Sequence, residues 1–437
     1  MFDEQTPYSI ADVEIDPNNP DIVWVGTGEN VSGRHVGWGD GVYKSINAGK
    51  SWTNMGLKQS EHIGKILIHP NDSNVIYVAS EGPLWSAGGD RGLYKSTNGG
   101  GSWKRILEID ENTGITDIEF HPENPDVIYA AAYERRRHVW GLMAGGPNGG
   151  IYKSGDGGAS WKKLEDGLPG GDVGKIGLAV TKANPGLVYA TIEADEDNKG
   201  FYRSRDQGET WSRENSYVSG GTGPHYYMEL EASPQNAELV FQMDVFLHVT
   251  RDGGAHFNYL GTGREKHSDN HALWIDPQDD RHLLAGTDAG LYESFDQGTS
   301  WRHFPNLPIS QFYKLALDND LPFYNILGGA QDLGTLFGPS RTMTTEGVRN
   351  QDWYVPLGAD GYAVAFDPEF PNISYMEYQQ GYMFRHDRDS NELVHIQPQP
   401  APGEAPERWN WDTPILISPH EASRVYTGSQ RVWRTEN

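Results

Sequence analysis

The chain of 437 residues contains no cysteine. This excludes a disulfide framework and any metal site built on thiolate ligands. No apolar run is long enough to span a bilayer, and Met1 is not followed by the apolar segment of a signal peptide. Basic residues are scarce as well, because 35 Lys and Arg stand against 61 Asp and Glu, a formal net charge of −26. We therefore expect no nucleic-acid partner and no membrane span.

Glycine and proline are abundant, with 53 and 26 copies, and this composition suits turn-rich β structure rather than disorder. One eight-residue phrase recurs along the chain, written Ser-x-Asp/Asn-x-Gly-x-Ser/Thr-Trp. Complete copies lie at 45–52, 96–103, 154–161, 204–211 and 294–301, and a degenerate copy lies at 250–257. Their closing aromatic residues are 51, 58, 50, 46 and 44 residues apart, which indicates a repeat architecture.

The chemistry of the phrase predicts a hairpin with a locked turn. Its Asp or Asn side chain can accept hydrogen bonds from turn amides, and the Gly two positions later can adopt positive φ. The Ser or Thr hydroxyl ties the turn further, and the Trp can pack under the neighbouring hairpin. We therefore predict a structural role for the phrase and look for a ligand site elsewhere.

The rest of each repeat predicts three further strands. A short strand such as 41–44 precedes the phrase, and two strands joined by an Asp-Pro or His-Pro turn lie further upstream, as at 11–15 and 22–26. Four strands at a period of about 45 to 50 residues are typical of a β-propeller blade. The predicted fold is thus all-β, a propeller of four-stranded antiparallel blades.

The spacing of the repeats gives a blade count. First strands are predicted near seven positions: Ile10, His62, Ile115, Val173, Tyr227, His271 and Phe312. We predict a seven-bladed propeller over residues 1–357 and the first blades of a second propeller over 358–437, with one larger ring as the alternative. Residues 434–437 begin another copy of the phrase, so we expect a further propeller domain in a longer chain.

The phrase is the Asp-box, or BNR repeat. From Tyr8 to Asn437 the chain resembles bacterial exported Asp-box propellers that are grouped with sortilin-type (Vps10-like) and glycoside hydrolase family 74 xyloglucanase-like proteins. Segments 24–30, 135–140, 329–332 and 408–412 carry the closest resemblance. The resemblance implies an extracellular or periplasmic location, although no signal peptide is present in this chain.

Propeller geometry predicts where a ligand site lies. The Asp-boxes and the Asp-Pro turns occupy one rim, so the connections from second to third strand and from one blade to the next share the opposite rim. These loops are long and variable, as expected of a binding face. They lie at 28–40, 81–91, 133–149 and 193–199, and at 219–227, 263–270 and 403–411.

The predicted ligand-binding residues lie mainly in these loops. Guanidinium groups of the 135–137 run could clamp a carboxylate, with aromatic rings stacking on a sugar or a peptide side chain. The alternative is that Arg and Trp fasten the long loops to one another. The candidates are Arg34, His35, Trp38, Trp85, Arg137, His138, Trp140, His225, Tyr226, His267, His271, Trp409 and Trp411.

Segment 267–271 offers a second kind of chemistry. If it enters a strand in extended form, His267, Asp269 and His271 share one face. They could then bind a divalent metal, form an acid/base relay or line a channel through hydrogen bonds. We predict no obligatory cofactor, with a divalent metal at these three residues as the alternative.

Glycoside hydrolysis would need one protonated and one ionised carboxylate. Asp269, Asp332, Glu29 and Asp412 are the catalytic candidates, and each could equally be a turn residue held by backbone amides. The family 74 resemblance implies catalytic Asp residues on two facing propellers. The first blade departs from that pattern, with Gly39-Asp40-Gly41-Val42 where the family has Asp-Ile-Gly-Gly.

Two main functions remain open at this stage. The first is noncatalytic recognition of a glycan or peptide at the loop-rich rim, and the second is hydrolysis of a β-linked polysaccharide. Recognition ranks first because the fold demands no catalysis and the family's catalytic stretch is missing. A structural or assembly role is the third alternative.

Overall fold

The computed structural model describes residues 2–219, 221–261, 265–307 and 309–435. Within these ranges the chain is all-β apart from one turn of 3-10 helix at Asn350–Asp352, and its strands form nine antiparallel sheets. No helix in the same ranges is long and apolar enough to cross a membrane. The predicted fold class is confirmed.

The chain divides into two compact units, Met1–Pro305 and Asn306–Asn437. The described part of the first unit holds six sheets. Their strands, sheet by sheet, are β1 Ile10–Ile15, β2 Val23–Thr27, β3 Val42–Ser45, β4 Thr53–Asn54; β5 Ile63–Ile68, β6 Ile76–Ser80, β7 Gly92–Ser96, β8 Lys104–Leu107; β9 Thr113–His121, β10 Asn124–His138, β11 Gly141–Ala144, β12 Gly150–Ser154, β13 Lys162–Lys163; β14 Ile176–Val180, β15 Val188–Ile192, β16 Gly200–Ser204, β17 Ser212–Asn215; β18 Leu230–Ala232, β19 Val240–Gln242, β20 Leu247–Thr250, β21 Asn258–Leu260; and β22 Asn270–Ile275, β23 Leu283–Thr287, β24 Gly290–Ser294, β25 Arg302–His303.

The second unit contributes three sheets over its described residues. Their strands are β26 Lys314–Leu317, β27 Asn325–Ala330, β28 Gly334–Pro339, β29 Tyr354–Leu357; β30 Gly361–Phe366, β31 Ile373–Tyr378, β32 Tyr382–Asp387, β33 Glu392–His395; and β34 Ile415–Ile417, β35 Val425–Gly428, β36 Val432–Arg434.

Each sheet is a meander of consecutive antiparallel strands. The turns after the first and third strands therefore lie at one edge of the sheet, and the turn after the second strand lies at the other. The third sheet departs from the four-strand plan, because β10 runs on to His138 and pairs with β11. The predicted loop at 133–149 is thus largely a β-hairpin.

Hydrogen bonds of the Asp-box turns follow the predicted pattern. In the copy at 154–161, the Ser154 hydroxyl donates to Asp156, the Asp156 carboxylate accepts from the amide of Ser160, and the amide of Gly158 donates to Ser154 Oγ. Gly158 has φ 88°, a conformation that favours glycine. The same bonds recur in the other five copies, so each hairpin is closed by its own side chains.

The hydrophobic core lies between successive sheets rather than within one of them. Ile63, Ile66 and Val78 of the second sheet pack with Trp24 and Val42 of the first, and similar clusters join the later neighbours of the same unit. Each fully buried side chain of this size stabilises the fold by roughly 1.5 to 3 kcal/mol. The repeats therefore depend on their neighbours, as the sequence period predicts.

The predicted first strands lie within a few residues of β1, β5, β9, β14, β18, β22 and β26. The division between the compact units follows residue 305, whereas the predicted seven-bladed domain ends at 357. That blade count and those domain boundaries stay predictions. The predicted connections 219–227 and 263–270, and the last copy at 434–437, extend partly outside the described residues.

Candidate functional site

Residues 28–40, the strap, leave the first sheet after β2 and lie against several other sheets of the first unit. The base of the strap is close-packed, because a Cβ atom on Gly28 would lie 1.9 Å from the carbonyl oxygen of Glu61. Further along, the amide of Ser32 donates to the carbonyl of His225, ahead of the fifth sheet. The strap therefore bridges blades that are remote in sequence.

Three buried cations hold the strap by its carbonyl groups. Lys175 Nζ donates to the carbonyl of Asn30 at 2.8 Å, and Arg135 Nη1 donates to that of Val31 at 2.8 Å. Arg137 donates through Nε and Nη2 to the carbonyl of Ser32, at 3.0 and 2.5 Å. Part of the predicted arginine cluster thus fastens a loop, as one of the two interpretations expected.

Arg135 also forms a buried ion pair. Its Nη1 lies 2.7 Å from Oε2 of Glu81, and the two side chains are 0% and 1% exposed. Burial raises the pKa of Glu81, while the charges of Arg135 and Lys175 lower it. The Thr116 hydroxyl donates to the other Glu81 oxygen at 3.3 Å. Glu81 thus compensates the charge of a cation that has no access to water.

The second loop, 81–91, is organised by Arg91. Its guanidinium donates to the carbonyls of Glu81, Pro83 and Ser86, so the chain wraps around one charged group. Burial lowers the pKa of Arg91 to about 10. The arginine is 2% exposed and acts as the internal packing of the loop.

A cleft of about 440 Å³ opens between the strap and the second loop. Its walls include Trp38 and Trp85, whose side chains are 45% and 46% exposed, together with Lys58 and Glu61. The imidazole of His62 also lines it, and burial lowers the pKa of His62 to about 3, so the ring is neutral at pH 7. The cleft offers two flat aromatic surfaces, one cation and one carboxyl group.

The hairpin of β10 and β11 carries two more predicted ligand-binding residues. The rings of His138 and Trp140 stack, with centroids 4.8 Å apart and planes at 4°. Trp140 is 84% exposed at the hairpin tip. The pair presents an aromatic surface to solvent.

Arg34, Arg137, His225 and Tyr226 lie around the middle of the strap. The Tyr226 ring covers Gly33, where a Cβ atom would lie 3.1 Å from the ring. Burial lowers the pKa of Arg137, and the charge of Arg34 lowers it further. Burial also lowers the pKa of His225, with Arg137 as the next cause. His35 lies beside Arg34 and is exposed.

A carboxylate pair lies at the start of the sixth sheet. Carboxylate oxygens of Asp269 and Asp288 are within 4.8 Å of each other. Tyr227 donates to Asp269 Oδ1 at 2.7 Å, and His271 Nε2 lies 2.7 Å from Asp288 Oδ1. Burial lowers the pKa of His271, but the hydrogen bond and charge of Asp288 outweigh it and raise that pKa. Burial raises the pKa of Glu29, and the charge of His271 lowers it in part.

Segment 267–271 does not enter the strand in the predicted extended form. β22 begins at Asn270, and Asp269 has φ 60°, so the side-chain alternation is broken. His267 Nδ1 lies 3.1 Å from the carbonyl of Ser268, whereas His271 faces Asp288. Asp269 and His271 thus come together with Asp288, while His267 makes a local contact. Metal binding by the three predicted residues stays a prediction.

The remaining predicted residues lie in the second unit. Asp360 accepts from the amide of Asp332 at 3.2 Å and from Trp411 Nε1 at 3.2 Å, which brings two of the resembling segments together. Asp412 pairs with Lys314 at 3.1 Å. Trp409 covers Gly381, where a Cβ atom would lie 2.7 Å from the indole.

Comparisons with known proteins bear on the whole architecture. A model of the Sortilin-Vps10 family (sortilin, neurotensin receptor 3) matches residues 40–198, and a model of the BNR/Asp-box repeat matches residues 202–213. Together with the nine meander sheets and the closed Asp-box turns, the matches confirm the resemblance inferred from the repeats.

The chain is an Asp-box β-propeller protein.

Relatives of this propeller protein include enzymes. Xyloglucanase Xgh74A of Acetivibrio thermocellus is 22% identical over 220 residues, which cover 44% of this chain and 23% of that protein. The crystal structure of a GH74 enzyme from Niastella koreensis is similar with a TM-score of 0.58 at 15% identity, covering 98% of this chain and 65% of that one. YCF48 from Cyanidioschyzon merolae has a TM-score of 0.46 at 14% identity, and the match covers 73% of this chain and 92% of that one.

The propeller protein thus spans less than two thirds of the length of the xyloglucanase and of the Niastella enzyme. At this level of identity the structural similarity concerns the fold. The architecture is similar to that of the Niastella enzyme.

Three residues of these sites have no clear signal in the sequence. Asp288 lies in a short turn between β23 and β24, whereas the connections predicted to form the binding face are long. Lys58 and Glu61 lie in a brief connection between the first two sheets. Only their three-dimensional neighbours distinguish these residues from ordinary turn residues.

The first strands of four sheets also carry a cluster of interacting charged side chains, the acidic cluster. Asp12 and Glu14 of β1, Asp117 and Glu119 of β9 and Glu231 of β18 surround Lys65 of β5. Lys65 Nζ lies 3.1 Å from Asp117 and 2.6 Å from Glu119. Burial raises the pKa of both Glu14 and Glu231 to about 8. The charges of neighbouring acids also raise these pKa values, and the charge of Lys65 lowers them in part.

The acidic cluster predicts that stability falls as pH rises. An unfolded Glu ionises near pH 4.5, but in the folded protein Glu14 and Glu231 ionise near pH 8, so deprotonation penalises the folded state. The contribution is fully present below about pH 4.5 and is lost as pH passes through about 8. We expect the melting temperature to drop by roughly 5 °C or more from about pH 6 to about pH 9. Calorimetry of the wild type and of a double Glu14→Gln, Glu231→Gln variant measures the effect, and an equal drop in both would contradict the assignment.

Proposed function

We propose that this chain is an exported propeller that binds a glycan at the loop-rich rim of its first unit. The observation that carries the proposal is the cleft between Trp38 and Trp85. Its volume of about 440 Å³ is within the usual range of ligand sites, roughly 300 to 1,000 Å³. Two half-exposed indoles can stack on the apolar faces of sugar rings, while Lys58 and Glu61 can hydrogen-bond to hydroxyl groups.

The construction of the walls supports this function. The strap is held by three cations, and the second loop is wrapped around Arg91, so both Trp residues project from loops with internal bonding. A site whose walls are ordered before binding loses less conformational entropy when the ligand arrives. Two of the named similar proteins support a carbohydrate ligand, because one is a xyloglucanase and the other is a GH74 enzyme.

Hydrolysis is the second candidate, favoured by the Asp269 and Asp288 pair. Their oxygens lie within 4.8 Å, close to the spacing of about 5 to 5.5 Å in retaining glycosidases. In this proposal one carboxylate would attack the sugar carbon, and the other carboxyl group, in its protonated form, would donate its proton to the leaving oxygen. His271 lies 2.7 Å from Asp288 Oδ1 and would orient that side chain.

One experiment separates the two candidates. The full chain is titrated calorimetrically with neutral and acidic plant and algal oligosaccharides and a control peptide mixture, and reducing ends released from the corresponding polysaccharides are counted. Binding without release supports recognition. Release that disappears in Asp269→Asn and Asp288→Asn, but persists in the exposed control Asp72→Asn on the opposite rim, supports hydrolysis. A chain that neither binds nor cleaves any glycan refutes both.

A further inference from the structure

Arg34 and Arg137 form a pair of like charges on the strap side of the loop-rich rim. Arg137 is 8% exposed, and its Nε and Nη2 donate to the carbonyl of Ser32. Arg34 lies two residues after Ser32 on the strap and is exposed. Burial lowers the pKa of Arg137, and the charge of nearby Arg34 lowers it further. Two guanidinium groups thus share one small region of the surface.

Neither guanidinium has a carboxylate partner within 4.0 Å among the residues that the structure describes. By contrast, the buried cations Arg135 and Lys175 have the carboxylates of Glu81 and Glu229 as partners. The chain carries 61 acidic residues against 35 basic ones. Two guanidinium groups near each other repel, and a bound anion would relieve that repulsion.

The arginine pair is continuous with the tryptophan cleft. The backbone amide of Arg137 donates to the carbonyl of Leu84, the residue before Trp85, at 2.8 Å. On the other side the strap runs from Arg34 to Trp38, which forms the opposite wall. A ligand that fills the cleft and extends along the strap would therefore reach the guanidinium groups.

We propose that the glycan is acidic, and that a uronate carboxylate of the chain bound in the cleft pairs with Arg34 and Arg137. The inference depends on the proposed glycan function and specifies its ligand class. Arginine suits this task because its planar donors match a carboxylate in bidentate geometry. Tyr226 and the half-buried His225 border the pair, where a neutral imidazole and a phenol can bond to adjacent hydroxyl groups.

The test compares one oligosaccharide with and without its charge. A tetramer of α-1,4-galacturonic acid and its methyl ester have the same backbone, so their affinities for the full chain isolate the carboxylates. We expect the acid to bind at least about tenfold more tightly than the ester. We also expect about 0.5 M salt to weaken binding of the acid but not of the ester, because the charge of Arg34 is exposed and therefore screened by salt.

Variants identify the arginine responsible. Arg34→Gln, at an exposed position, is expected to weaken binding of the acid about tenfold and to leave binding of the ester unchanged. Arg34→Lys is expected to restore part of the lost affinity. Arg281→Gln on the opposite rim is the control for total charge. Equal affinity for acid and ester, or an Arg34→Gln effect on both, would overturn the inference. Neutral oligosaccharides alone binding in the cleft would overturn it and leave the glycan function standing, whereas no binding of any glycan would remove that function as well.

Discussion

Replacing Glu81 with Gln is expected to lower the free energy of unfolding by about 3 to 5 kcal/mol. The substitution keeps the shape of the side chain but leaves Arg135, which is 0% exposed, without its carboxylate. A buried charge that loses its partner retains the full cost of its desolvation. Denaturant unfolding followed by tryptophan fluorescence measures the change, with the transition of the first unit fitted separately.

Two controls make this result specific. Glu209→Gln removes an exposed partner of Lys153, a pair 2.6 Å apart, and is expected to cost less than about 1 kcal/mol. A double Glu81→Gln, Arg135→Met variant removes both charges and is expected to recover part of the loss. A Glu81→Gln protein as stable as the wild type would show that the ion pair does not hold the strap.

The second large effect concerns ligand binding. Replacing Trp38 and Trp85 together with Ala is expected to weaken glycan binding by about 100-fold or more, and each single change by about tenfold. Each indole contributes a large rigid surface at little cost in conformational entropy, and both rings line the cleft. Isothermal titration with the tightest-binding oligosaccharide from the panel measures the loss.

Trp274→Ala is the matched control for that experiment. Trp274 lies on β22 and is 46% exposed, like Trp85, but it packs against His282 away from the cleft. We expect unchanged affinity in this variant. Binding that survives the loss of both cleft tryptophans would place the ligand elsewhere on the propeller.

The fold was predictable because its determinants are local. Each Asp-box turn is closed by residues at most four positions apart, such as Ser204, Asp206 and Gly208. Strand positions follow from the same repeats, so β1 and β2 lie within one residue of the predicted ranges 11–15 and 22–26. A single sequence is sufficient for such features because the chemistry and the contact lie in the same short segment.

The candidate site was only partly predictable because its contacts are long-range. Sequence patterns indicated Trp38, Trp85 and the arginine run, but not that Arg135 would compensate Glu81 while Arg137 stays without an acid partner in the described structure. Asp288 is a candidate site residue only because it lies beside Asp269 and His271, which are 17 or more residues earlier in the chain. Such partnerships depend on how loops of different blades meet, which no local spacing encodes.

The central claim is that ligand binds at the loop-rich rim of the first unit and not at the Asp-box rim. Hydrogen exchange of the full chain, with and without a saturating glycan, tests it most directly. We predict slower exchange in segments 31–39 and 82–91, with no change in the Asp-box turns at 45–52 and 96–103. Protection concentrated in the Asp-box turns, with segments 31–39 and 82–91 unchanged, would contradict it.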